Sequence, residues 1–96
     1  SLVQGRVLAK RTLVHRMKTF AVGDIVRTRI WDGLQFEVVV YVGSDGVLLH
    51  RINNLIKWHL ERFVKYHEFN SYHCTVAPVA SKEYYDMLEE LKSLKD

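Results

Sequence analysis

The sequence predicts a mainly β domain, five short strands rolled into a small barrel, followed by one α-helix. Three observations carry this. Residues 25–31, 36–42 and 47–50 are runs of β-branched, aromatic and other apolar side chains broken by few polar ones, the composition and length of strands. Asp32-Gly33 and Asp45-Gly46 separate those runs, and both pairs are hairpin signals because glycine accepts positive φ without steric cost. Near the C-terminus, Tyr84, Met87, Leu88, Leu91 and Leu94 recur at helical spacing.

Taken in order, residues 1–16 form a basic leader ahead of Met17-Lys18-Thr19-Phe20, which has the look of a start of translation. The leader is read as an appended, non-native extension, against two competing readings: a basic arm on phosphates and an Arg-rich, acid-free targeting peptide. Residues 17–80 are assigned to the barrel and a following edge segment, and 81–96 to the C-terminal helix. Gly23-Asp24 permits a sharp entry turn into the first strand. Alternation along that strand places Val26, Thr28 and Ile30 inward and Arg27, Arg29 and Trp31 on the opposite face. On the second strand Phe36, Val38 and Val40 form one set and Glu37, Val39 and Tyr41 the other. Both sets are apolar enough for a central strand covered on two sides.

Residues 51–66 carry a helical spacing, Ile56, Leu60 and Val64, as well as short strand-like pieces. The strand reading is adopted: a turn at Asn53-Asn54, a fourth strand at 56–59, a single 3₁₀ turn at 60–62 and a fifth strand at 63–66. Residues 72–76 are β-prone and must end by Pro78, as an edge strand or as a segment crossing the barrel mouth. Ser81 is placed to cap the N-terminus of a helix over 82–94.

Ninety-six residues make one domain, in which a groove is easier to build than a deep enclosed site. The single Cys74 excludes an internal disulfide framework, and no apolar run approaches the ~18 residues of a membrane span. The expectation is a soluble, cytoplasmic domain without cofactor. The formal charge of +3 is uneven: residues 1–20 hold five basic and no acidic side chains, 21–68 six of each, and 69–96 three against five. Without the first 16 residues the balance is ten basic against eleven acidic, net −1, which removes most of the attraction to phosphates.

The order of these pieces resembles the small SH3-like barrels of the Tudor and KOW kind. The residues that carry the resemblance are the Val-Gly-Asp entry at 22–24, the Gly43-terminated second strand, the Asp45-Gly46 turn and a Trp-x-Leu-x-x-Phe element at 58–63. Where KOW sequences have a glycine-rich spacing, this chain has Asp32-Gly33-Leu34-Gln35. The resemblance covers roughly residues 20–68 and implies a five-stranded SH3-like barrel with a C-terminal α-helix; such folds host many unrelated functions.

The functional expectation is a non-enzymatic binding module that contacts nucleic acid. Arg27, Arg29 and Trp31, joined by Tyr41 from the neighbouring strand, would offer charge for phosphate and ring faces for bases. The plainer reading of that face is solvated arginines paired to Glu37. The alternative function is a protein-binding adaptor or inhibitor of the kind phages encode against host machinery. It would use the barrel rim or the helix face of Tyr84, Leu88 and Leu91, a face that could also pair two copies into a homodimer. The resemblance further raises an aromatic cage from Trp31, Phe36, Tyr41 and Trp58 beside Asp32, although residues of this type are more often core. His59, His67, His73 and Cys74 match no short zinc-ligand spacing, so no metal is expected, and Cys74 has no local nucleophile signature.

Overall fold

The computed structural model describes residues 12–14, 18–31, 33–53, 60–71 and 74–94. A short hairpin pairs β1 (Thr12–Val14) with β2 (Lys18–Phe20). The main sheet contains β3 (Ile25–Ile30), β4 (Gly33–Val42), β5 (Gly46–Arg51), β6 (Glu61–Lys65) and β7 (Cys74–Ala77), in the order β6-β5-β4-β3-β7 with every neighbour antiparallel. A 3₁₀ helix (Tyr66–Ser71) follows β6, and α1 (Lys82–Ser93) ends the described chain. The expected mainly β class, five-strand count, central strand and C-terminal helix all hold. The sheet is open: among the described residues β6 and β7 are its unpaired ends.

The identity of the strands differs in places. The fifth member is β7, so the piece left open as an edge strand or a crossing segment pairs with β3, Ala77 opposite Ile25 and Cys74 opposite Thr28. Of the 3₁₀ turn expected at 60–62, Glu61 and Arg62 instead begin β6, and the 3₁₀ segment lies after that strand. Extension wins at Arg62 because pairing with Leu49 delivers its guanidinium to Glu37. Gly33 pairs with Ile30, so β4 starts three residues before Phe36. The strand expected at 56–59 lies outside the described residues.

The two faces of the sheet carry separate clusters. On the inner face Phe20, Val26, Val39, Val47, Leu49, Val64, Tyr66 and Phe69 pack together. Phe20 sits against Phe69 at 4.8 Å and Tyr66 at 5.9 Å between ring centroids. The other end of that face is polar: Thr28, Gln35, Glu37 and Arg51 are buried. Glu37, its side chain only 1% exposed, accepts two hydrogen bonds from Arg62 at 2.8 and 2.9 Å. A buried carboxylate without such a partner would carry a desolvation cost of several kcal/mol, which is why breaking a buried pair costs about 3–5 kcal/mol.

On the outer face Ile25, Phe36 and Ala77 pack under Met87, with Leu34, Ile52, Tyr84 and Leu91 around them. Ser81 caps α1 as expected, its hydroxyl accepting from the Tyr84 N–H at 3.1 Å. The helix is delivered there by the 78–81 turn, in which Ser81 donates to the Pro78 carbonyl and Ala80 takes φ 68.

The entry corner ties these layers together. Gly23 adopts φ +100, a conformation glycine reaches without penalty, and its N–H donates to the Val39 carbonyl at 2.8 Å. The buried Asp24 carboxylate accepts from the N–H of Ala21 at 3.0 Å and of Val79 at 2.9 Å. One side chain therefore joins the start of the sheet to the turn that launches α1.

Candidate functional site

The basic-aromatic set does not converge. Arg27 points to the outer face beneath α1, where it is partly buried and donates to Glu90 at 2.7 Å. Arg29 is exposed, and Trp31, at the tip of the β3–β4 connection, is 95% exposed. Tyr41 lies at the far end of β4; at about 3.4 Å per residue the eight steps from Gly33 place it roughly 27 Å away. Glu37, proposed as the partner of the strand arginines, is on the inner face with Arg62 instead. The helix lying over Arg27 is itself acidic, with Glu83, Asp86, Glu89 and Glu90 against Lys82 and Lys92, so the charge on this side is mixed.

The cage residues are also dispersed. Phe36 is fully buried beneath the helix while Trp31 is solvated at one end of the hairpin and Tyr41 at the other; Asp32 and Trp58 lie outside the described residues. Among the described residues no group of three His, Cys, Asp or Glu side chains could hold a metal. His67 is exposed on the 3₁₀ helix and Cys74 is half-buried on β7, while His59 and His73 lie outside the described residues. No helix among the described residues is long and apolar enough to cross a membrane.

Of the helix residues, Tyr84 and Leu91 pack against the outer cluster, and Leu88 is exposed beside Tyr85. The stripe thus spends most of its apolar surface on the sheet, leaving Leu88, Tyr85 and Leu94 at the margin.

A second surface was not singled out by the sequence. The register of β4 against β5 shifts between Val39 and Tyr41. Val39 and Val42 both pack on the inner cluster, so the extra residue sends Val40 and Tyr41 together to the outer side. Tyr41 therefore leaves the face that strict alternation assigns to it with Glu37 and Val39. Its cross-strand partner is Leu48, whose own partner on β6 is Phe63. Tyr41, Leu48 and Phe63 make one apolar row across three strands, with Tyr41 57% and Phe63 45% exposed and Val40 beside them.

Charged groups border the row. The His50 ring and the Glu61 carboxylate approach to 3.3 Å on one side, and Lys65 pairs with Gly46 on the other. Gly46 is required beneath Phe63: a Cβ there would stand 2.7 Å from the Phe63 ring and 2.4 Å from the Val64 carbonyl oxygen. Under the row, the Tyr66 hydroxyl donates to the Gly43 carbonyl oxygen. Burial, with Asp45 and Tyr41 nearby, raises its phenol above the ordinary value. The signal for this surface is present in the chain, since the five consecutive apolar residues 38–42 cannot all face a core on a strand that alternates.

No curated protein and no solved structure matches the chain. The family model described as phage Tudor domain matches residues 15–96, a span that takes in the described sheet and the helix. With a small antiparallel β-sheet of Tudor type behind that match, the chain belongs to the phage Tudor domain family.

Proposed function

We propose that this domain is a protein-binding module and that its contact surface is the uncovered outer face around Val40, Tyr41, Leu48 and Phe63. Tudor-type domains are binding modules, which sets the class of activity; the choice of partner and surface rests on geometry. The observation that carries it is the exposed row created by the β4 bulge, two aromatic rings and two aliphatic side chains with charges only at its border. Exposed aromatic groups grouped in this way mark interaction surfaces, and they supply large contact area at small entropic cost.

A second reading is contact with nucleic acid at the β3–β4 tip. It is favoured by the near-complete exposure of Trp31 beside Arg29, a ring and a cation suited to a base and a phosphate.

The two separate in one experiment. The immobilised chain, its Val40→Ser/Tyr41→Ser variant and its Arg29→Ala/Trp31→Ala variant are exposed to mixed DNA and RNA oligonucleotides over a salt series, and in parallel to cell extract. The protein-binding reading expects an extract protein held by the wild type and lost from the Val40/Tyr41 variant, with no oligonucleotide retained. Oligonucleotide retention that falls steeply with salt and disappears in the Arg29/Trp31 variant overturns it in favour of the second reading.

A further inference from the structure

We propose that two copies of this chain pair through the outer edge of β6, antiparallel and centred on Phe63, so that their sheets join into one.

β6 ends the sheet, and among the described residues no strand pairs with its outer side. The direction of its backbone groups follows from the bonds to β5. Arg51 N–H donates to the Leu60 carbonyl at 2.7 Å and Tyr66 N–H to the Asp45 carbonyl at 3.0 Å. In an antiparallel ladder bonded pairs alternate, so residues 62 and 64 also bond inward. Glu61, Phe63 and Lys65 turn their N–H and C=O groups away from β5. The Lys65 N–H confirms this direction, since it is taken by Glu68 Oε1 at 2.9 Å. Among the described residues, Phe63 and Glu61 are left presenting both groups to the edge, a template for another strand.

The side chains of β6 are complementary to themselves. In an antiparallel pair centred on Phe63, Phe63 faces the partner's Phe63, Glu61 faces the partner's Lys65 and Lys65 the partner's Glu61, all on the outer face. On the inner side Arg62 faces the partner's Val64. Neighbouring registers lack this match: centring on Arg62 sets two guanidiniums against each other, and centring on Val64 sets Lys65 against Phe63. Centring on Glu61 or on Lys65 sets like charges together, an arrangement that opposes pairing. In the Phe63 register the two Phe63 residues exchange both backbone bonds, and each Glu61 N–H reaches the partner's Lys65 carbonyl. The Lys65 N–H stays with Glu68, which ends the interface there.

The occupant is thus a second copy. Pairing also joins the rows of Tyr41, Leu48 and Phe63 from each copy into one apolar band across both sheets, with the ion pairs along its flanks. The inference stands apart from the protein-binding reading, because it needs no other protein and leaves Val40 and Tyr41 untouched.

Charge swaps on the full chain, followed by sedimentation equilibrium with circular dichroism as the check on folding, test it. The wild type is expected to sediment as a dimer in equilibrium with the 11.3 kDa chain. Glu61→Lys or Lys65→Glu alone turns both ion pairs of the interface into like-charge contacts and should raise the dissociation constant at least about tenfold. An equimolar mixture of the two single variants should recover the dimer, because each supplies what the other lost, and the double swap should recover it within one chain. A wild type that remains at the mass of one chain overturns the proposal. So do a dimer indifferent to both swaps, single-swap losses that neither the mixture nor the double swap restores, and a dimer lost instead in Leu88→Glu, which would place the contact on the helix.

Discussion

Over β3, β7 and the start of β4, α1 lays Met87 on Ile25, Phe36 and Ala77; over the end of β4, β5 and β6, Val40, Tyr41 and Phe63 remain exposed. Both halves of this face are built from the same kinds of residue on continuous strands. The difference is coverage. The helix is anchored at one end by the Asp24 bond to Val79 and the Ser81 cap, and near the other by Glu90 on Arg27. Twelve helical residues at about 1.5 Å each span roughly 18 Å, enough for one half only. A strand residue that looks like core by composition is therefore core or contact surface according to whether the helix reaches it.

Substitutions break this contrast in graded steps, read as urea unfolding free energies. Phe36→Ala in the covered half should cost about 3–5 kcal/mol, since a fully buried ring is replaced by a cavity; a cost near zero would mean the helix does not pack there. Ser81→Ala should cost about 1 kcal/mol and lower the helical signal in circular dichroism, because the Tyr84 N–H loses its acceptor. Arg27→Ala removes a pair in which both side chains are about a third exposed, and solvent screening holds the loss below about 1 kcal/mol. Tyr41→Ser in the bare half should change stability by no more than about 0.5 kcal/mol while weakening partner capture. A large stability loss there would turn the exposed row into part of the core and remove the basis for reading it as a contact surface.

The inner face shows a second division that composition does not announce. Glu37 sits in a run of apolar residues and reads as the polar member of an alternating strand. It is buried, because Arg62, 25 residues later, reaches across β5 to meet it. The same pairing explains why residues 61–62 extend rather than turn. Nothing local at either residue signals the other, and the link exists only once β4, β5 and β6 are in register.

The sequence by itself determined the mainly β class, the runs that become β3, β4 and β5, the central place of β4 and the cap, span and apolar stripe of the helix. These follow from side-chain shape, alternation and glycine or cap chemistry acting over a few residues. The tertiary structure alone decided that 74–77 is the fifth strand and that, among the described residues, β6 is an end of the sheet. It also decided that Tyr41 changes face at a bulge, and that Arg27 is held by Glu90 and kept away from Trp31 and Tyr41. Each of these depends on which distant backbone or charge arrives opposite, and pairing across the sheet, unlike propensity along the chain, is set by the summed fit of all strands at once.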